Sequence, residues 1–298
     1  MSSTESLNPR FANIDSWPTI DAVEAMLEGQ MAAIASIKSQ TSNIASAAEA
    51  AAERLLIGGR LVYIGAGTSG RVAVQDGVEL NPTFGWPADR LLYLMAGGID
   101  ALVTSAEGAE DDAELAQSQV AAHGVGGNDV VIGVAASGRT PFTVAAIKAA
   151  HASGALTISI TNNAGSELGF AADHALLATT GSEAIAGSTR MKAGTAQKAI
   201  LNLLSTAIML KLGRVYRGMM VDMVISNEKL LHRAIGMVRT LTGCSEMAAI
   251  SAVESSDRNI KRAVLIAMGQ SLAASSSLLE ANHGILRDAI ATLEDAPT

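Results

Sequence analysis

The sequence predicts an α/β protein in which a doubly wound parallel sheet is preceded by N-terminal helices and followed by a small all-helical domain. In the middle of the chain, short runs rich in Val, Ile and Leu occur between helical patterns, which is typical of strands buried on both faces. The pattern is helical before residue 57 and again after about residue 186. We therefore expect an N-terminal segment and helix over 1–44, a sheet domain over 45–215 and a helical domain over 226–298.

The N-terminal part is predicted to be irregular at first and then helical. Residues 1–17 are polar, and Pro18 suits the first turn of a helix because its fixed φ angle matches the helical value. The Ala-rich region that follows is predicted to stay helical to Leu56 and to end at Gly58-Gly59. Apolar runs then predict the strands, which are Leu61–Ile64, Leu91–Ala96, Val130–Ala135, Leu156–Ile160 and Ala175–Ala178.

The last third of the chain has the apolar spacing of helices. One long helix is predicted to end near Gly213, with an apolar stripe that consists of Ile200, Leu203, Leu204, Ala207 and Ile208. From Asn227 onward the pattern is helical throughout. Breaks between these helices are expected near Thr242-Gly243, Ser255–Asp257 and Asn282–Gly284.

The composition limits the classes of function. The chain has 298 residues, 49% of them hydrophobic, and a net charge of −8 at pH 7. Binding to a nucleic-acid backbone needs a basic surface, so no nucleic-acid partner is expected. The longest apolar stretches, such as 199–210, are too short to span a bilayer, so no association with a membrane is expected.

Cysteine and histidine usage indicates the compartment and the cofactor requirement. The single cysteine, Cys244, excludes a disulfide within the chain and is typical of a reducing compartment. The polar N-terminus lacks the apolar core of a signal peptide, so we expect a cytoplasmic protein. No two histidines have the spacing of metal ligands, and we expect neither a metal nor another cofactor.

Two Gly-, Ser- and Thr-rich turns follow predicted strands, at 65–71 and 135–141, and a third, at 187–190, precedes the long helix. In a doubly wound sheet such turns lie at the carboxyl ends of the strands, where ligands bind. Each turn alone also fits an ordinary helix cap, but the recurrence of such turns favours a sugar-phosphate site. Glycine lets the backbone approach a ligand closely, and the helix that follows presents free N–H groups. The candidate contacts are Gly67, Thr68, Ser69, Ser137, Gly138, Arg139 and Thr140.

Two acidic positions near these turns are candidates for proton transfer. Glu79 follows the helix that the first turn starts, and its neighbours Leu80 and Pro82 are apolar, so we expect partial burial that favours its protonated form. Glu110 lies in an acidic run over 107–112. From the residues alone, Glu79 also fits an exposed helix end and the acidic run also fits a solvated helix start. The sequence by itself therefore predicts a sugar-phosphate binder with candidate acid–base carboxylates.

Motifs in several parts of the chain match one known family. The most specific is Gly187–Lys198, with the sequence GSTRMKAGTAQK, and the segment TESLNPR at 4–10 is similar to the family's opening. The other matching segments are Ile64–Arg71, Glu107–Asp112, Ala135–Pro141 and 221–230. With these motifs the chain resembles the N-acetylmuramic acid 6-phosphate etherases, a family of the sugar isomerase (SIS) fold group. It departs from the family around Glu79, where the common Ser-Glu-Cys-Pro-Pro-Thr is replaced by VELNPT.

The resemblance implies a SIS domain and an enzyme that uses water to cleave the D-lactyl ether of N-acetylmuramic acid 6-phosphate. The products are N-acetylglucosamine 6-phosphate and (R)-lactate. It implies that Glu110 is the base for the C2 proton and that Glu79 is the acid for the departing oxygen. It also implies a metal-free homodimer with active sites near the subunit interface, and a role in cytoplasmic recycling of peptidoglycan. Further candidates for substrate binding are Arg71, Ser188, Arg190 and Lys192.

Two other functions stay open on the same fold. One is a non-catalytic sugar-phosphate regulator similar to glucokinase regulatory protein, which shares the turns and the acidic segment but usually carries a second SIS domain. The other is an aldose–ketose isomerase, which leaves the lactyl group attached to the sugar. Measurement of lactate release from N-acetylmuramic acid 6-phosphate separates these possibilities.

Overall fold

The computed structural model, which describes residues 3–104 and 106–295, contains one five-stranded sheet. Its strands are β1 (Leu61–Gly65), β2 (Leu91–Met95), β3 (Val130–Ala135), β4 (Leu156–Thr161) and β5 (His174–Leu177). They lie in the order β2-β1-β3-β4-β5, and all neighbouring pairs are parallel. The predicted parallel sheet is confirmed, and each predicted strand is present with ends that differ by at most one residue.

The chain winds in opposite directions from the middle of this sheet. From β1 it continues to β2 on one side, whereas from β3 it continues to β4 and β5 on the other. The residues of β1, β3 and β4 are buried throughout, which explains the continuous apolar runs of β1 and β3. In β4, apolar residues alternate with the buried Thr157, Ser159 and Thr161. The carboxyl ends of β1 and β3 therefore flank the position where ligands bind in such sheets.

Helices supply the remaining regular structure, together with short 3₁₀ turns. They are α1 (Thr19–Ser36), α2 (Thr41–Leu56), α3 (Gly67–Val78), α4 (Leu80–Phe84), α5 (Ala113–Ala122), α6 (Pro141–Ala152), α7 (Glu167–Ala171), α8 (Lys192–Lys211), α9 (Glu228–Thr242), α10 (Glu246–Ser255), α11 (Ile260–Ala267), α12 (Leu272–Ala281) and α13 (Leu286–Glu294). The long helix predicted to end near Gly213 is α8. The predicted breaks after α9, α10 and α12 are also present, and the structure adds one between α11 and α12.

The N-terminal helical region is interrupted, which the sequence analysis did not predict. A 3₁₀ turn at Ile37–Gln40 separates α1 from α2. The Ser36 and Ser39 hydroxyls donate hydrogen bonds to backbone carbonyl oxygens three residues earlier, which competes with regular helix geometry. The Gln40 side chain accepts a hydrogen bond from the Leu177 N–H at 3.2 Å, so the interruption is tied to the end of β5.

Two compact units divide the chain. Met1–Val78 and Asp89–Ile208 form the sheet unit, and Glu79–Ala88 and Met209–Thr298 form the helical unit. Residues 79–88 belong to the helical unit, which differs from the predicted division of the chain, and Trp86 in this segment is only 1% exposed. The predicted domains, 45–215 and 226–298, stay a proposal about which parts of the chain fold independently.

The lengths of the helices bear on membrane association. Within residues 3–104 and 106–295, no single helix is long and apolar enough to cross a membrane. Only α11 and α12 taken as a pair meet the criteria of length and composition, and they are bent by 117° at the break between them.

The starts of β1 and β3 are joined by a partly buried ion pair. The Asp129 carboxylate accepts hydrogen bonds from the Arg60 guanidinium, from the Arg60 N–H and from the Gly126 N–H at 2.7–3.1 Å. Burial acts to raise the pKa of Asp129, but these hydrogen bonds and the Arg60 charge outweigh it and leave the pKa below its ordinary value. The stability that the Asp129 carboxylate contributes is therefore fully present above the pKa that Asp129 has in the unfolded chain. It is lost as pH falls through the lowered pKa that Asp129 has in the folded protein.

Replacement of Asp129 by Asn is expected to lower the free energy of unfolding at pH 7 by about 2 kcal/mol, because charge-assisted hydrogen bonds are lost. The difference from wild type should shrink as pH falls through the lowered pKa, since both carboxyl and amide are then uncharged. Urea unfolding at a series of pH values measures this, with the exposed Asp100→Asn as the control. A difference that does not change with pH would contradict the assignment.

Candidate functional site

The turn from β1 to α3 brings the backbone of a helix start close to the strand end. A Cβ atom on Gly65 would lie 2.8 Å from the Gly70 Cα, so only glycine at these positions allows so tight a turn. Gly67 adopts a φ of +51° and begins α3. The first N–H groups of a helix have no partner within it, so those of Gly67, Thr68 and Ser69 are available to an anion at this edge of the sheet.

The turn from β3 to α6 is built in a similar way. Gly138 has a φ of +64°, and a Cβ atom there would lie 2.4 Å from Ser166, so glycine is required. The Ser137 hydroxyl oxygen accepts a hydrogen bond from the Arg139 N–H at 3.2 Å, which fixes the turn. Thr140 occupies the N-cap position of α6, without a capping hydrogen bond from its side chain to any residue that the structure describes. Its hydroxyl group is therefore placed at a helix start.

A cleft of about 430 Å³ lies between these two turns. All its lining residues belong to the sheet unit. Predicted site residues that line it are Gly67, Thr68, Ser69, Glu110, Ser137, Arg139 and Thr140. The structure also places Glu5, Asp111 and Thr189 there, which the sequence analysis did not single out.

Ser69 contributes differently from the prediction. Its side chain is buried, and its hydroxyl donates a hydrogen bond to the Gln197 Oε1 at 3.0 Å. Gln197 in turn donates to Asn162 at 2.9 Å, and Asn162 donates to the Ala178 carbonyl oxygen. The single hydroxyl proton is used in this chain of hydrogen bonds, which leaves the backbone N–H group as the donor that Ser69 has for a ligand, and its role in binding stays a prediction.

Glu5 reaches the cleft because the N-terminal segment is fixed to the sheet unit. The Asn163 amide donates a hydrogen bond to the Thr4 hydroxyl oxygen at 3.1 Å, and the Gly187 N–H donates to the Thr4 carbonyl oxygen at 3.3 Å. Thr4 is fully buried, although it lies in a segment that the sequence analysis describes as irregular. The match of TESLNPR to the family's opening was the available signal for this segment.

Glu110 lies in a 3₁₀ turn, Ala109–Asp111, just before α5. Asp112 caps that helix, since its carboxylate accepts a hydrogen bond from the Leu115 N–H at 2.8 Å. Glu110 is exposed at the edge of the cleft, so water reaches its side chain. The acidic run is therefore partly a helix start and partly a wall of the cleft.

Arg71 lines a second cavity, of about 330 Å³, that shares Ala66, Gly67 and Glu110 with the main cleft. Its Nε donates a hydrogen bond to the Ala101 carbonyl oxygen at 3.1 Å. Arg71 and Glu110 thus line the same cavity, and a role of Arg71 in substrate binding stays a prediction.

The remaining candidates lie around the start of α8. Lys192 lines a different cavity, and its ammonium group donates a hydrogen bond to the Thr180 carbonyl oxygen at 2.7 Å. The buried Glu183 carboxylate accepts hydrogen bonds from the N–H groups of Lys192 and Ala193, so this helix start is already capped. Arg190 is exposed and Ser188 is half-buried. Their roles in binding stay predictions.

Glu79 corrects one expectation. It is exposed, whereas its apolar neighbours predicted partial burial. The physical reason is the helical backbone, in which successive side chains point about 100° apart, so that Leu80 is buried while Glu79 faces outward. Glu79 belongs to the helical unit, between α3 and α4, and its placement relative to Glu110 stays a prediction.

Among the residues that the structure describes, no three His, Cys, Asp or Glu side chains are grouped so that they could hold a metal ion. The expectation that no metal or other cofactor is needed stays a prediction.

Comparison with family models and solved structures identifies the fold. The N-terminal SIS domain of glucokinase regulatory protein matches residues 41–151, the SIS domain matches 108–207, and the C-terminal lid domain of glucokinase regulatory protein matches 217–257. A phosphoheptose isomerase from Francisella tularensis superposes with a TM-score of 0.50 at 20% identity, over 65% of this chain and 100% of that chain. A Bacteroides fragilis protein described as a phosphosugar isomerase gives a TM-score of 0.54 at 22% identity, over 67% and 95%. The predicted SIS fold is confirmed.

Relatives that match nearly the whole chain have higher sequence identity to it than these solved structures have. The chain is 43% identical to the N-acetylmuramic acid 6-phosphate etherase of Streptomyces avermitilis over 97% of this chain and 93% of that protein. It is 46% identical to the etherase of the same name from Symbiobacterium thermophilum, over 88% and 87%. A third, from Lactobacillus gasseri, is 43% identical over 95% of each chain.

Proposed function

The chain belongs to the N-acetylmuramic acid 6-phosphate etherase family, and from this premise we propose that it cleaves its substrate by elimination followed by hydration. The reaction uses water to convert N-acetylmuramic acid 6-phosphate into N-acetylglucosamine 6-phosphate and (R)-lactate. The observation that carries the proposal is the cleft in which two helix starts and Glu110 meet. The setting we propose is cytoplasmic recycling of peptidoglycan.

The phosphate group is proposed to bind between the starts of α3 and α6. Both helix starts present the positive end of a helix dipole, the start of α3 adds free N–H groups, and the Arg139 side chain adds a positive charge. The carboxylates of Glu5, Glu110 and Asp111 line the same cleft and would repel a phosphate. The sugar carbons, rather than the phosphate, are therefore placed next to these carboxylates.

The chemistry starts from the open-chain sugar, in which an aldehyde at C1 acidifies the proton at C2. Glu110, as a carboxylate, takes this proton, and the electron pair of the C2–H bond forms the enolate. Collapse of the enolate forms the C2–C3 double bond and breaks the C3–O bond, while Glu79, as the protonated acid, gives its proton to the departing lactate oxygen. Water then adds at C3 and a proton returns to C2, which balances the reaction.

Two carboxyl groups in opposite protonation states are the requirement of this scheme, and each contributes typically about 10²–10⁴-fold to the rate. Glu110 is exposed and solvated, which suits an ionised base. Glu79 is exposed in the single chain, so its role as an acid requires substrate or a second copy of the chain to exclude water from it.

Incubation with N-acetylmuramic acid 6-phosphate separates this function from its alternatives. The etherase releases (R)-lactate in amounts equal to N-acetylglucosamine 6-phosphate. A non-catalytic regulator would bind the sugar phosphate and release nothing, and an aldose–ketose isomerase would form a ketose that still carries the lactyl group. Either of these results would overturn the proposal.

The phosphate site can be tested through the hydroxyl groups. Replacement of Ser137 or Thr140 by Ala is expected to raise KM about 10-fold each, because a hydrogen bond to a charged acceptor contributes about 1.5–3 kcal/mol. The matched control is Ser118→Ala, which removes a hydroxyl that donates to the Leu115 carbonyl oxygen on α5. Steady-state kinetics of lactate release measure the effect. An unchanged KM in the Ser137→Ala, Thr140→Ala double variant would contradict the assignment.

We also propose that the chain forms a homodimer through α1. One face of this helix, with Ala25 and Ala33, is buried within the sheet unit. The opposite face carries large apolar side chains that are 48–63% exposed, namely Ile20, Val23, Leu27, Met31 and Ile34. At about 100° per residue these five form one stripe, which a second copy of the same helix would cover.

Replacement of Leu27 by Asp, at the middle of this stripe, is expected to give a monomer, because two buried carboxylates would face each other across the two-fold axis. Sedimentation at micromolar concentration measures the mass. Leu115→Asp is the control, since Leu115 is a leucine 40% exposed on α5. A wild-type monomer, or an unchanged mass for Leu27→Asp, would contradict the proposed interface.

A further inference from the structure

A charged cluster within the helical unit holds the segment that carries Glu79. The Arg214 Nη1 lies 3.4 Å from the carbonyl oxygens of both Phe84 and Gly85. The same guanidinium lies over the Trp86 ring, 5.6 Å from its centre. Arg214 therefore contacts the C-terminal end of α4 and the residue after it.

Asp222 and Lys261 complete this cluster. The Asp222 carboxylate lies 3.7 Å from the Arg214 guanidinium and contacts the Lys261 ammonium group directly. Lys261, whose side chain is only 6% exposed, also donates a hydrogen bond to the Gly284 carbonyl oxygen at 2.6 Å. Burial lowers the pKa of Lys261, and the Asp222 carboxylate opposes this effect. Removal of Asp222 would leave two cations without their counter-charge.

The backbone at 222–224 also contacts the segment that carries Glu79. The Val224 N–H donates a hydrogen bond to the Pro82 carbonyl oxygen at 3.2 Å. Gly85 has a φ of +61°, and a Cβ atom there would lie 2.5 Å from the Asp222 carbonyl oxygen. The backbone at 222–224 thus lies against α4 and Gly85, while the Asp222 side chain acts on this segment through Arg214.

Gly85, which the cluster contacts, and Glu79 lie at the two ends of the short helix α4. Glu79 is the N-cap residue of α4, and its carbonyl oxygen accepts a hydrogen bond from the Thr83 N–H at 3.2 Å. Gly85 ends the helix, and its N–H donates to the Asn81 carbonyl oxygen at 2.8 Å. A shift at Gly85 is therefore transmitted to Glu79 over fewer than two helical turns.

We propose that Arg214, Asp222 and Lys261 are positioning residues that hold α4 so that Glu79 protonates the departing lactate oxygen. This inference rests on the proposed function. None of the three need touch the substrate. The proposal predicts that substitutions in the cluster slow protonation of the departing lactate oxygen, which needs the acid, and leave removal of the C2 proton, which needs the base, unchanged.

The test uses the full-length protein and two rates. Exchange of the C2 hydrogen in deuterated water reports the base, and lactate release reports base and acid together. Arg214→Met, which keeps the side chain's apolar part, is expected to slow lactate release about 10- to 100-fold, since a displacement of about 1 Å costs up to about 10²-fold. C2 exchange should change less than about twofold. Arg214→Lys should restore most of the lactate release, because it returns a positive donor to the carbonyl oxygens.

Two controls separate positioning from loss of structure. Arg239→Met removes an exposed arginine on α9 that pairs with Glu246, and it should leave both rates unchanged. The far-ultraviolet circular dichroism of Arg214→Met should match that of the wild type. Asp222→Asn should give the same split between the two rates, with a lower thermal midpoint.

The outcomes distinguish this inference from the proposed function. If Glu79→Gln separates the two rates but Arg214→Met and Asp222→Asn do not, the positioning role is wrong and the proposed function stands. If Glu79→Gln itself does not separate them, the proposed role of Glu79 fails. If Arg214→Met lowers both rates equally, or loses helix content, the cluster has only a structural role.

Discussion

Replacement of Glu110 by Gln is expected to abolish both C2 hydrogen exchange and lactate release. The amide has the size of the carboxyl group but cannot accept a proton, so the enolate does not form and the later steps have no substrate. A loss of about 10²–10⁴-fold in both rates is expected for removal of a general base. Exchange is read from nuclear magnetic resonance of the substrate in deuterated water, and lactate release from a coupled assay.

The matched control for this prediction is Glu114→Gln, an exposed glutamate in the first turn of α5. It removes one negative charge from the same part of the surface and should leave both rates unchanged. Exchange at the native rate in Glu110→Gln would mean that another group takes the C2 proton. The assignment of the base would then be wrong.

Replacement of Glu79 by Gln is expected to have the second largest effect, on one of the two rates only. Lactate release should fall about 10²–10⁴-fold, because the departing alkoxide no longer receives a proton. C2 exchange should stay largely intact, since Glu110 still forms the enolate. The same two assays measure this, with the exposed Glu254→Gln on α10 as the control in the same unit.

The proposed mechanism requires that Glu110→Gln lowers both rates and that Glu79→Gln lowers only lactate release. Equal loss of exchange and lactate release in Glu79→Gln would place Glu79 in proton abstraction or in substrate binding. Unchanged lactate release would remove Glu79 from the reaction altogether, and another acid would have to be found.

The sheet could be predicted because burial leaves a clear pattern in the sequence. The runs that became β1 and β3 contain few polar residues, since both faces of those strands are covered. β4 is covered on both faces as well, but it alternates apolar residues with Thr157, Ser159 and Thr161. The two turns at 65–71 and 135–141 were recognisable because glycine is required where a Cβ atom would collide with a neighbour, as at Gly65 and Gly138. The spatial order of the strands was not predictable from the runs alone, because a run shows burial but does not show its neighbours.

Other features depended on contacts between residues far apart in the chain. The Ser69 hydroxyl donates to Gln197, which lies 128 positions later, and no local pattern indicates this partner. The exposure of Glu79 depends on which side of α4 packs inward. The assignment of 79–88 to the helical unit depends on Trp86, whose burial follows from packing that local sequence does not specify.

The central claim is that the ether is cleaved by elimination and then hydration, with a C2 carbanion formed first. The most direct measurement is the position of deuterium after the wild-type protein has converted N-acetylmuramic acid 6-phosphate in deuterated water. Because Glu110 is exposed, the proton that it takes exchanges with solvent before hydration. We expect N-acetylglucosamine 6-phosphate with deuterium at C2, together with (R)-lactate that carries no carbon-bound deuterium. Release of both products with only the original hydrogen at C2 would show direct displacement and contradict the account.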